Sequence, residues 1–295
     1  MANSIALATM FQPILDEIYK ASSKTAILDS VSRPVSFAGA NVVKIFKTSL
    51  VGMGTYSRST GYPVGDVTGT WETLTLATER GRELFIDRED DDETLGQAFG
   101  TLVGEYMRTA VIPEVDAYRF AKYAGWSGIS TTTGAVLDKT TVLDAIDAAV
   151  GSLNANEVPE EGRVLFVSDT VQTFLNQALT RIYGNDSGVT NIVRSYNNMP
   201  VVMVPQARFY TGVTLDAGAS SSAGGFSKTG GAKNINFMLV SPSALVQVAK
   251  HDNLKIFDPQ TNQSKDGWKV QYRLYHDAFV RENAVSGVYL HKSTT

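Results

Sequence analysis

Apolar residues recur along this chain at two spacings, and the spacing changes several times. Met10, Phe11, Ile14, Leu15, Ile18 and Tyr19 repeat at three- and four-residue steps. That pattern predicts a short amphipathic helix with Pro13 near its first turn. The stretch ASSKTAILDSVSRPVSFAGAN mixes small, polar and breaker residues and reads as a peripheral arm. Strands are predicted at residues 42–55 and 70–86, and in the second Leu74 and Leu76 alternate with Thr73, Thr75 and Ala77. They flank YSRSTGYPVGDVTGTW (56–71), whose Gly61, Gly65 and Gly69 are expected to let the tip of a hairpin turn. Two strands of roughly 10 residues make an arm about 30 Å long. Isolated two-stranded arms are marginal in water, so this one should lie on something.

Helical spacing returns in Leu95, Phe99, Leu102, Tyr106, Val111, Val115, Tyr118 and Ala121. One helix over 93–124 would be about 48 Å long. Pro113 should kink it or remove one hydrogen bond. The middle then alternates, with a helix at 140–153, a buried strand at 164–167, and a helix capped by Asp169 that carries Val171, Phe174, Leu175, Ala178 and Ile182. Further strands are predicted at 201–204 and 235–240, and Ser241-Pro242 opens a short helical turn. AGASSSAGGFSKTGGAK (217–233) reads as a mobile, exposed loop. A long strand, WKVQYRLYHDAFVREN, and then GVYLHK end the chain, with no internal repeat.

Composition narrows the class. The 295 residues suit two compact units or one elaborated domain. Charged residues make up 19%, below the common share of about 25%, which favours an assembly with covered surface. A net charge of −4 and a pI near 5.5 argue against a basic face that grips nucleic acid. There is no cysteine, so disulfides, thiolate metal sites and cysteine nucleophiles drop out together. No Lys or Arg precedes Lys20, and no apolar run approaches the roughly 18 residues a bilayer span needs. The expectation is a soluble chain that is not exported.

Candidate chemistry adds little. GMGTYS has two glycines of a dinucleotide fingerprint, but Ser57 stands where the third belongs, and GGFSKTGGAK lacks a phosphate loop's Gly-Lys-Ser/Thr at the required spacing. A calcium loop from Asp87 would need glycine at 92 and glutamate at 98, where the chain has Asp92 and Ala98. The run DREDDDE (87–93) fits better as acids complementing the positive end of the long helix, with interface salt bridges as the other use. His251, His276 and His291 show no metal-ligand spacing, and no Gly-x-Ser-x-Gly is present. No enzyme, cofactor or metal is expected.

The order of the parts is more telling than any one motif. TLATERGRELFIDREDDDETLG, then VIPEVDAYRFAKYA, then VQYRLYHDAFVRENAVSGVYLHK resemble the major capsid proteins of tailed bacteriophages, over essentially the whole chain. The resemblance implies the α+β Hong Kong 97-type capsid fold, with an N-terminal arm at 1–36 and an extended hairpin (the E-loop) with its base strands at 37–86. A peripheral domain with a long spine helix would follow at 87–135, an axial domain at 136–255, and return strands to the peripheral domain at 256–295. The implied function is a structural one: pentamers and hexamers tiling an icosahedral shell around phage double-stranded DNA, without sequence-specific binding. The implied location is the virion, after assembly in the bacterial host cytoplasm, with no membrane partner. Implied partners are further copies of the chain, a separate scaffolding protein and a portal at one vertex, with room for a decoration protein.

Candidate inter-subunit contacts are Phe11, Tyr56, Arg58, Tyr62, Pro63, Trp71, Arg80, Arg82, Asp90, Asp91 and Asp92. Residues 48–121 hold six arginines and no lysine, which suits guanidinium–carboxylate pairing between subunits. The same absence argues against the lysine–asparagine weld that some family members make on the hairpin. An encapsulin-like protein nanocompartment is the first alternative, and a soluble hydrolase using paired carboxylates is the second.

Overall fold

The computed structural model describes residues 23–29, 36–37, 41–49, 51–89, 97–134, 137–178, 192–218, 223–263 and 265–294. The amphipathic helix expected around Phe11, the acids Asp90, Asp91 and Asp92, and the C-terminal part of the helix expected to reach Ile182 lie outside those residues.

A single helical turn, α1 (Ala26–Asp29), precedes strands β1 (Ser36–Phe37), β2 (Val42–Ser49) and β3 (Thr68–Thr75). β2 pairs antiparallel with both of its neighbours, and Val42↔Thr75 through Ser49↔Thr68 sets the hairpin register. Eight-residue strands reach about 26 Å. Alternation places Val43, Glu72, Leu74 and Leu76 on the covered face, where Val43, Leu74 and Leu76 pack on Val246, Val248 and Phe279. The strand expected over 70–86 is interrupted at Leu76 and Ala77. It resumes as β4 (Thr78–Asp87) in a different sheet.

The break has a physical cause. The Ala77 N–H donates to Asp277 Oδ2 at 2.9 Å and the Leu76 carbonyl accepts from the Tyr275 hydroxyl at 3.1 Å, so both leave the strand ladder. Asp277 has no exposure. It also accepts from the Tyr118 hydroxyl at 3.0 Å, and that hydroxyl accepts from Thr78 at 2.6 Å.

The long helix is present over α2 (Gln97–Tyr106), a π-turn (Met107–Val111) and α3 (Ile112–Ala124). Its 28 residues over 97–124 span about 42 Å. In the π-turn the Ile112 N–H reaches the Met107 carbonyl, five residues back. Pro113 lies just beyond it, lacking an N–H and crowding the carbonyl four residues earlier. The kink expected at Pro113 therefore takes the form of a widened turn, with the helix unbroken. Val103, Met107, Val111 and Val115 repeat every fourth residue. They bury their stripe on Leu254, Ile256, Val270, Tyr272 and Leu274.

Next come β5 (Ser130–Thr133), α4 (Val142–Ala155), β6 (Val164–Ser168), α5 (Asp169–Ala178), β7 (Ser195–Tyr196), β8 (Met199–Val204), β9 (Val213–Asp216) and β10 (Gly225–Lys228). The Val171 N–H bonds Ser168 Oγ at 3.3 Å, so Ser168 caps α5 where Asp169 was expected. β10 pairs with β9 from Gly225↔Asp216 to Lys228↔Val213, which puts a strand inside the segment expected to be a mobile loop. β11 (Ile235–Val240), β12 (Leu245–Phe257), β13 (Gly267–Val280) and β14 (Val288–Lys292) complete the chain.

A mixed sheet has the order β5-β14-β11-β6-β8-β7, and an antiparallel one the order β12-β13-β4. Val164 and Phe166 of β6 face a core with Phe120 and Tyr123 of α3, while Leu165 and Val167 face Ile146, Leu153, Val171 and Leu175 of α4 and α5. Burial on both faces explains the apolar runs Val164–Val167 of β6 and Phe237–Val240 of β11.

Candidate functional site

Among the described residues, the distal half of the β2–β3 hairpin is the largest display of exposed apolar side chains. Val51, Met53, Tyr62 and Val64 are 66%, 104%, 85% and 97% exposed, joined by Phe46, Tyr56, Val67 and Trp71. Two aromatic pairs stiffen it. Phe46 and Trp71 stand 5.0 Å apart across the strands, and Tyr56 and Tyr62 stand 4.9 Å apart across the turn. A Cβ on Gly69 would fall 2.5 Å from Phe46 Cζ and one on Gly54 2.6 Å from Pro63 Cγ, so both glycines permit packing. Gly61 has φ +80° and closes the turn with Ser57 through two backbone bonds of 2.8 and 3.2 Å. Of the tip glycines, Gly61 serves the turn and Gly69 serves contact.

The predicted contact residues thus divide. Tyr56, Arg58, Tyr62, Pro63 and Trp71 share this exposed arm. Arg80 is engaged inside the subunit: Nε and Nη2 donate to the two Glu114 oxygens at 2.6 and 3.0 Å, and the guanidinium also meets the carbonyls of Asp216 and Gly225 at 2.7 and 3.3 Å. One side chain therefore ties β4 to α3 and to both ends of the β9–β10 connection. Arg82, two residues on, is exposed, and its guanidinium lies against Gly218. Arg108 pairs with Glu105 and Arg119 with Asp29, so these arginines too meet carboxylates of their own chain.

Two buried carboxylates and a histidine hold the elements beneath the arm. Asp116, with no exposure, accepts from Ser23 Oγ at 2.7 Å, Lys24 N–H at 2.9 Å, Thr25 N–H at 3.2 Å and Thr25 Oγ1 at 2.7 Å. Arg208 approaches the same carboxylate at 3.5 Å. His276 is 2% exposed and edge-on to Tyr118. Burial first, then the positive charges of Arg119 and Arg80, press its pKa down to about 3, so the ring is neutral at ordinary pH. Burial and the Glu114 carboxylate raise the Tyr106 phenol above its ordinary value.

These buried groups escaped the sequence reading. The signal for Asp116 was present, since Ile112, Val115, Asp116, Arg119, Phe120 and Tyr123 all fall on the buried side of α3. A charge pair within an apolar helix face marks a satisfied internal network. No group of His, Asp and Glu suited to a metal occurs among the described residues, and no described helix is long and apolar enough to cross a membrane.

Neither a protein-family model nor a curated protein matches the sequence. Solved structures do. One from Gordonia phage Cozz superposes with a TM-score of 0.60 at 15% identity, covering 91% of this chain and 86% of that one. The capsid structure of cyanophage P-SCSP1u gives 0.59 at 14% identity, covering 88% and 85%. The asymmetric unit of the bacteriophage PhiM1 mature capsid gives 0.54 at 14% identity, covering 87% and 83%. This chain has the phage capsid fold. It is the α+β Hong Kong 97-type architecture that the order of sequence elements implied, with the β2–β3 hairpin as its E-loop and α2, the π-turn and α3 as its spine helix.

Proposed function

We propose that this protein is the major capsid protein of a tailed bacteriophage, assembling through pentamers and hexamers into an icosahedral shell around double-stranded DNA. The observation that carries the reading is the E-loop, whose exposed apolar side chains project from a hairpin anchored at its base by Val43, Leu74 and Leu76. Isolated hairpins are marginal, and an exposed patch of this kind marks an interaction surface. A second copy of the chain supplies a cover that recurs with small angular changes, as a shell requires. Tyr56, Arg58, Tyr62, Pro63 and Trp71 are the contact residues on this arm, and Arg82, Phe11, Asp90, Asp91 and Asp92 are retained as candidates.

The domain reading follows the same plan: an arm over 1–36, a hairpin with base strands over 37–86, a peripheral domain over 87–135, an axial domain over 136–255 and return strands over 256–295. A separate scaffolding protein, a portal and virion residence after assembly in the host cytoplasm belong to the same proposal. The role is structural, not catalytic. The deciding experiment is negative-stain microscopy of the protein expressed with its genomic neighbours, with particle diameter and the 260/280 nm ratio measured on purified shells. Closed shells that package DNA support the reading. Shells that carry only protein cargo would replace it with the nanocompartment, and a monomer or dimer under every condition would end it.

A further inference from the structure

A cavity of about 110 Å³ lies where β4, the π-turn and the β9–β10 hairpin meet, a space large enough for one carboxylate or phosphate group or a few waters. Arg80, Arg82, Tyr106, Glu114, Asp216 and His276 line it, together with the glycines that begin and end the β9–β10 connection. The π-turn contributes Ala110 and Val111 to its wall.

Not every polar group of this cavity has a hydrogen-bond partner. Glu114 is satisfied by the Arg80 fork. The Asp216 carboxylate accepts from the Gly218 N–H at 2.9 Å. Arg82 has no ion-pair partner and the Tyr106 hydroxyl no hydrogen bond among the described residues. His276 Nδ1 is buried without a partner, on a side chain with 2% exposure. The charges of the lining cancel, Arg80 and Arg82 against Glu114 and Asp216, yet the Arg82 guanidinium and the Tyr106 hydroxyl are donors without a partner there, beside a neutral ring nitrogen.

The connection above the cavity is shaped for Arg82. A Cβ on Gly218 would fall 2.8 Å from Arg82 Nη1, and one on Gly224 would fall 3.6 Å from it. Gly218 and Gly224 also have φ +69° and +77°. Glycine is needed at Gly218 twice over, for backbone conformation and for the guanidinium that lies against it.

We propose that this cavity binds an oxyanion, with Arg82 and the Tyr106 hydroxyl donating to it at the mouth and His276 closing the inner end. A guanidinium and a phenol suit both carboxylate and phosphate oxygens. The oxyanion has two possible sources: an acidic side chain of a second copy, or a free anion such as inorganic phosphate. Only the first source rests on the shell reading.

The test measures thermal unfolding of dispersed full-length protein against inorganic phosphate at constant ionic strength. Wild type is compared with Arg82→Gln, Tyr106→Phe and, as a control for general charge, Arg88→Gln. Phosphate should stabilise the wild type and Arg88→Gln alike, and its apparent affinity should fall about tenfold in Arg82→Gln. Arg82 is exposed, so its replacement leaves the fold in place, and Tyr106→Phe deletes one hydroxyl only. Assembled particles then separate the sources. Equal phosphate stabilisation of particles and dispersed subunits assigns a free anion, whereas stabilisation of dispersed subunits alone assigns a neighbour's carboxylate already in place. No phosphate effect on the dispersed wild type, or an equal effect in Arg82→Gln and Arg88→Gln, overturns the proposal.

Discussion

The Thr25 hydroxyl donates to Asp116 Oδ1 at 2.7 Å, joining residues 91 positions apart in the chain. With Ser23 and the Lys24 amide on the same carboxylate, this contact fixes where the N-terminal segment leaves the spine helix. Asp116→Ala should strand several buried donors at once and cost about 2–4 kcal/mol. Thermal unfolding checks the magnitude. Limited proteolysis checks the place, because cleavage should appear first near residues 23–29. Loss of stability without new cleavage there would mean that α1 is held chiefly by Leu28 in the core.

His276 gives the fold a defined response to acid. The ordinary histidine pKa is 6.5 and the folded value is about 3. Between those values the unfolded chain binds the extra proton and the folded chain does not, so stability rises with pH. It is fully present above about pH 6.5 and is lost progressively as pH falls toward 3, with a slope of up to about 1.4 kcal/mol per pH unit from this group. Denaturant titrations of wild type and His276→Gln across that window should show a shallower slope in the variant. Parallel slopes would assign the acid sensitivity to the carboxylates.

Arg80 should be irreplaceable by lysine. An ammonium group cannot reproduce the two-pronged bond to Glu114 while also meeting the carbonyls of Asp216 and Gly225. Arg80→Lys is expected to cost about 1–3 kcal/mol and to speed proteolytic cutting between residues 216 and 225. Unchanged cutting would show that Arg82 and the glycine contacts hold the connection without it.

Legibility in the sequence followed burial. The spine helix and β6 announced themselves because each buries a regular apolar set, and so did the base of the E-loop at Leu74 and Leu76. The turn from the E-loop sheet into β4 did not, because Asp277 diverts the backbone at Ala77, and a carboxylate inside a strand reads as a surface charge. The β9–β10 hairpin was obscured by its glycines, whose value lies in the room they leave for Arg82. Exposure along the arm was partly legible. Tyr56, Tyr62 and Trp71 stand exposed on the E-loop, whereas Arg80, with an equal appearance in sequence, is turned inward by Glu114. Partners close in space and distant in sequence decide that difference.

The E-loop offers the clearest separation of folding from assembly. Its base is secured by Val43, Leu74 and Leu76, whereas Val51, Met53, Tyr62 and Val64 contact little of the subunit. Removing residues 58–69 should therefore leave a soluble subunit whose melting temperature changes by less than about 4 °C. Closed shells should disappear, because Arg58, Tyr62 and Pro63, three of the five side chains that would lie on the neighbouring copy, go with the tip. The point variant Tyr62→Ser keeps the arm intact and controls for a misfolded deletion, and it should lower shell yield at unchanged subunit stability. Microscopy and sedimentation of both proteins beside wild type give the comparison. Normal shells from the deletion would remove the E-loop tip from the assembly contacts and leave the arginine and acidic candidates to carry them.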